Sequence, residues 1–105
     1  MAGHEVNFRD FEDHKRVKFF QEVATLISTE WAFVGRYLRL SDAALTQLEM
    51  NHRGNQREIN YAMLIEWYQN ADRAITTNVF LATALKAAGR TDLHDWVMEK
   101  CNKSQ

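Results

Sequence analysis

The sequence predicts an all-α protein, a six-helix antiparallel bundle, and three observations carry that prediction. The 105 residues include no proline and only four glycines, two of which, Gly54 and Gly89, fall where apolar periodicity breaks off. Apolar side chains recur at helical spacing along most of the chain. Neither the alternating β-branched runs nor the Asn-Gly and Asp-Gly turns of a hairpin protein occur.

The first helix is expected from about His14 to Ile27, because Phe20, Val23, Ala24 and Ile27 share one face and Phe19 and Leu26 widen it. Thr29 is placed to cap a short second helix with Trp31, Val34 and Leu38 on one stripe, and Gly35 gives that helix room for a close neighbour. Ser41 caps a third, with Leu45 and Leu48 inward, ending at Met50 or Asn51 before the loop 52–55.

Asn55 and Glu58 have capping-box spacing at the start of a fourth helix, whose Tyr61, Leu64, Ile65, Trp67 and Tyr68 cover more than one face. That helix is expected to be central. After the break at 69–74, Thr76 is the expected cap of a fifth helix, with Ile75 and Phe80 at staple spacing and Leu81, Ala84, Leu85 and Ala88 inward. Gly89 supplies its stop, and Thr91 and Asp92 open a sixth helix carrying Leu93, Trp96 and Val97 inward. Residues 1–13, acidic and without a period, read as a tail; 14–101 read as the domain and 102–105 as a C-terminal tail.

Composition bounds function. At 12.3 kDa, with 46% hydrophobic and 26% charged residues, the chain has one ordinary core and is not a disordered segment. No apolar run approaches the roughly 18 residues of a membrane span, and the first residues lack the apolar stretch of a signal peptide. A single cysteine, Cys101, excludes an intrachain disulfide and fits a reducing, cytoplasmic setting.

Catalytic spacing is missing. No two of the four histidines stand at i, i+3 or i, i+4, and the zinc-protease, phosphate-loop and nucleophile-elbow patterns do not occur. His52 and His94 read as loop and surface-helix residues, and Cys101 has lysines nearby but no histidine partner. The chain is therefore expected to be no enzyme and to need no metal or cofactor.

Charge is the remaining clue. Residues 1–14 set Arg9 against Glu5, Asp10, Glu12 and Asp13, a net of −3, whereas residues 15–57 are +3 and the remainder −1. Arg36 and Arg39 lie one turn apart at the end of the second helix, with Arg53 and Arg57 further along the basic half. Asp92, Asp95 and Glu99 stand at i, i+3 and i+7 on the sixth helix. Arginine holds a carboxylate in a bidentate grip, so opposite patches of this kind suit docking onto a similar body. A helical domain that binds nucleic acid through residues 36–57 is the alternative, disfavoured by a pI of about 6.4 and by the interspersed carboxylates.

Four blocks together resemble the death domain: Trp31 to Asp42 (WAFVGRYLRLSD), Leu45 to Glu49, Tyr61 to Trp67 (YAMLIEW) and Leu81 to Leu93 (LATALKAAGRTDL). Their order and spacing match over roughly residues 14–101. The resemblance implies the death-domain fold, with Trp31 a buried packing residue, Tyr61 and Trp67 lining the core, and residues 89–93 turning into the sixth helix. It implies no catalysis. It implies homotypic binding through asymmetric surface contacts, to death domains of receptors, adaptors or kinases or to further copies, in apoptotic or innate-immune assemblies. Partner contacts would then fall on Arg36 and Arg39, on Glu66, Asp72 and Arg73 around the end of the fourth helix, and on the acids of the sixth. Within the family the chain is most similar to cytoplasmic adaptors of the Fas-associated or insect immune-deficiency type.

Overall fold

A computed structural model describes residues 5–103. Among them, six α-helices follow one another: α1 (Asp13–Leu26), α2 (Trp31–Tyr37), α3 (Asp42–Asn51), α4 (Gln56–Asn70), α5 (Asn78–Ala87) and α6 (Thr91–Lys103). Two short 3-10 turns, Phe8–Asp10 and Arg73–Ile75, precede α1 and α5. The most extensive helix pairs are α5 with α6 and α1 with α4, and α2 rests on α5 and α4.

Caps explain most boundaries. The Ser41 hydroxyl accepts the Ala44 N–H at 3.0 Å, and the Asn55 side-chain oxygen accepts the Glu58 N–H at 3.2 Å. The reciprocal half of that capping box is not made, because the Asn55 N–H already donates to the His52 carbonyl at 2.9 Å. The cap of α5 is Thr77 rather than Thr76, its hydroxyl accepting the Phe80 N–H at 3.1 Å. That shift removes Ile75 and Phe80 from staple register. Thr76 is buried, and its hydroxyl donates to the side-chain oxygen of Asn7 at 2.8 Å. Thr29 caps nothing: Glu30 holds the position before α2 and makes no side-chain cap bond.

Helix ends α2 and α5 share one hydrogen-bond pattern with different residues. At α5, Gly89 has φ +91°, its N–H donates to Lys86 O at 3.0 Å, and the Arg90 N–H donates to Leu85 O at 2.9 Å. At α2, Arg39 takes the same place with φ +73°, donating to Arg36 O at 2.9 Å while Leu40 donates to Gly35 O at 3.0 Å. Both are Schellman ends, in which the left-handed residue is ordinarily glycine.

The core runs through all six helices, with Phe20, Val34, Met63, Leu64, Leu81, Leu85 and Val97 fully enclosed. Leu26, expected on the inner face of α1, is instead exposed. Trp67 is buried, but Trp31 and Trp96 are only half-buried, as is Tyr61, so the wide apolar surface of α4 is only partly covered. Asn60, 1% exposed, donates its amide to the carbonyls of Ala24 and Ile27 at 3.0 Å each. A polar side chain in the core thus satisfies carbonyls that the end of α1 leaves open.

Segment 5–12 is not a tail. Phe8 is fully buried, with ring centroids 5.1–6.1 Å from those of Phe11, Phe19, Phe20 and Trp67. Around it the Phe8 N–H donates to Thr76 O at 2.8 Å, and the Asn78 N–H to Val6 O at 3.1 Å. Arg9 donates to the carbonyls of Tyr68 and Ala71 at 2.5 and 3.0 Å, placing a cation where the α4 dipole is negative. The segment lacks a period because a single aromatic plug, not a stripe, anchors it. At the other end α6 continues through 102–103, and the parts of the expected tails at residues 1–4 and 104–105 lie outside the described residues.

Candidate protein-docking surface

Helix α2 is seven residues long, and its inward Val34 and Gly35 fix which side faces outward. Gly35 packs so closely that a Cβ there would lie 2.5 Å from Leu45 Cδ2 and 3.1 Å from Met63 Sδ. With that side buried, Phe33 and Tyr37, one turn apart, are left 57% and 50% exposed. Arg36 sits between them in sequence, its guanidinium 5.6 Å from the Phe33 ring centre and its Nε donating to Asp42 Oδ1 at 3.1 Å. Exposed aromatic rings flanking an arginine have the composition of residues that dominate protein interfaces. Arg36 was legible as a candidate from its charge. Phe33 and Tyr37 were not, although they are the apolar residues that the stripe Trp31, Val34 and Leu38 leaves out.

The other basic candidates do not form one stripe. Arg39 lies over the Phe80 ring at 5.3 Å and lines a cleft with Asp72. Arg57 lines a depression with Gln21 and Thr25 of α1, and Arg53 another with Glu49 and Met50. Among the described residues none of these three makes a salt bridge. They are exposed and line three separate depressions.

The acidic candidates are largely engaged within the chain. Glu66 is half-buried and accepts from Asn70 at 2.9 Å. Arg73 pairs with Asp10 at 2.7 Å, fastening the 3-10 turn before α5 to the N-terminal segment. Asp95 faces His94 Nδ1 at 2.8 Å, while Asp72 and Glu99 are exposed. Asp92 is gripped by Arg90, whose Nε and Nη2 donate to its two oxygens at 3.0 and 2.9 Å. That bidentate grip holds the Asp92 carboxyl below its ordinary value. Nη1 of the same Arg90 donates to Glu30. Charge counting missed Arg90 because its partner Glu30 lies far off in sequence.

The remaining reactive groups are withdrawn. Cys101 is fully enclosed, and burial pushes its thiol up to about 12, so it stays protonated and unreactive at neutral pH. Among the described residues no three His, Cys, Asp or Glu side chains gather to hold a metal ion, and no helix is long and apolar enough to cross a membrane.

No curated protein and no solved structure matches the chain. The family model of the death domain matches residues 18–100, which run from within α1 through the whole of α2 to α5 and into α6 as far as Lys100. Death domains are protein–protein interaction modules. Six helices in this order and a match spanning most of the sequence agree: the chain belongs to the death-domain family.

Proposed function

We propose that this chain is a non-catalytic docking module that binds other death domains, or further copies of itself, in building a cytoplasmic apoptotic or innate-immune signalling complex. The observation that carries this reading is the outward face of α2, where Phe33 and Tyr37 remain half-exposed beside Arg36. Burying two rings beside a guanidinium is a favourable core for an interface. Arg39, Arg53, Arg57, Glu66, Asp72, Arg73, Asp92, Asp95 and Glu99 are proposed as further contacts on other parts of the surface. The separation of the arginines supports docking to a shaped protein surface over tracking a phosphate backbone, which needs a continuous basic stripe. Contacts between unlike patches do not close on themselves unless rotation brings them round, so an open helix or ring is the expected assembly.

Charge reversal tests the reading. Arg36→Glu and Arg39→Glu are expected to abolish binding to a partner death domain while helicity and melting temperature stay nearly constant. Normal binding by both variants to every death domain that the unaltered chain binds overturns the assignment.

A further inference from the structure

The outward face of α2 carries both signs of charge in contact. Arg36 donates from Nε to Asp42 Oδ1 at 3.1 Å, and both side chains are open to solvent. The same guanidinium lies 5.6 Å from the exposed Phe33 ring, with the exposed Tyr37 next in sequence. Among the described residues, Leu26, Phe33, Tyr37, Met50 and Val79 are the large apolar side chains left exposed, and only Phe33 and Tyr37 flank a member of an ion pair.

Such a face discriminates against partners of a single charge. A wholly acidic surface laid on it would pair with Arg36 but press on Asp42, and a wholly basic one would do the reverse. What complements a cation and an anion in contact is the same two charges in reversed order. A two-fold rotation of the chain supplies that order, because an axis passing close to the pair sets Arg36 of each copy against Asp42 of the other. The rings meet their own kind as readily, since aromatic pairs pack offset or edge to face.

We infer that the α2 face pairs with the same face of a second copy about a two-fold axis, each Arg36 exchanging its own Asp42 for that of the other chain. Unlike head-to-tail contacts of unlike patches, this contact closes after two chains. Two half-exposed rings offer about 200 Å² of apolar surface, against about 800 Å² per partner in a standard stable complex. The self-pair is therefore transient. While it lasts it covers Phe33 and Tyr37 and so competes with other death domains for them, a consequence that rests on the docking reading above.

Charge reversal in trans tests the pairing, with sedimentation of the full chain followed from micromolar to millimolar concentration. The unaltered chain is expected to shift from one chain towards two, and Arg36→Asp and Asp42→Arg each to stay single, since the exchanged charges then repel. An equimolar mixture of the two variants is expected to recover the two-chain species, with a dissociation constant at least about tenfold below that of either variant alone. In that mixture one chain supplies two acids and the other two bases at matching places. Circular dichroism is expected to show both variants folded; should either not be, Phe33→Ala with Tyr37→Ala takes its place and is expected to raise the constant at least about tenfold.

An unaltered chain that stays single up to millimolar concentration, or a mixture that stays single, overturns the inference. So does a two-chain species that the single variants, or the double alanine variant, form as readily as the unaltered chain, which would place the contact elsewhere. Docking to another death domain without self-pairing defeats this inference alone, whereas rescued self-pairing in a chain that docks to no other death domain removes those partners from the docking reading and leaves the self-pair standing.

Discussion

Arg90 reaches from the start of α6 to Glu30, the residue before α2, and so ties together two connections 60 positions apart in the chain. The same guanidinium holds Asp92 and donates to the Leu26 carbonyl at 3.3 Å. The Glu30 side chain is only 14% exposed, which makes this pair different from the open surface pairs Lys15–Glu12 and Arg73–Asp10.

Arg90→Met is therefore expected to cost about 1–2 kcal/mol at neutral pH, because it leaves a mostly buried carboxylate without its donor. Burial pushes the Glu30 carboxyl up, but the hydrogen bonds it accepts from backbone N–H groups and from Arg90 outweigh that and hold it below 4.5. Asp92 is held below 3.8 by Arg90. Depressed carboxyls contribute stability that is complete above those ordinary values and is lost as pH falls through the lower folded ones. Urea unfolding at a series of pH values should show the gap between Arg90→Met and the unaltered chain constant near neutrality and narrowing below about 4.5. A gap that widens on acidification would contradict the pairing.

Gly35→Ala sets two effects against each other. Alanine improves helix propensity by about 1 kcal/mol, but its Cβ would stand 2.5 Å from Leu45 Cδ2, and Leu45 is 4% exposed with little room to yield. Overpacking of that kind costs about 1–3 kcal/mol. The expected outcome is a net loss of stability in thermal unfolding; a variant at least as stable as the original would show that α2 does not pack this closely on α3 and α4.

Phe8→Ala is expected to cost about 3–5 kcal/mol, the range for removing a fully enclosed phenylalanine. Deleting residues 1–12 should lower the melting temperature as well, since it removes Phe8 together with the Arg9 cap on α4. If the truncated chain melts at the same temperature, segment 5–12 is no part of the folded unit.

The helices were legible in the sequence because their signals are local: 3.6-residue stripes, the Ser41 and Asn55 caps, and the Gly89 stop all act within a few residues. What escaped were features set at a distance. Phe8 has no periodic neighbours and is buried only because α1 and α4 converge on it. Thr76 and Thr77 are adjacent and chemically equivalent, and the backbone pairing of Val6 with Asn78 decides which one caps. The docking surface was half legible for the same reason. Charge marked Arg36 and Arg39, whereas the exposure of Phe33 and Tyr37 depends on Gly35 fixing the inward side of α2. No charge count could show that Asp92 and Arg73 are already held by Arg90 and Asp10.

The docking face of α2 is tested most directly by interferometry with the immobilised chain against a panel of purified death domains, itself among them. The unaltered chain is expected to bind at least one, and Phe33→Ala with Tyr37→Ala to weaken that binding at least about tenfold, equivalent to about 1.4 kcal/mol, with no change in melting temperature. Undiminished binding by the double variant, or no binding by the unaltered chain to any member of the panel, would contradict the assignment of this face.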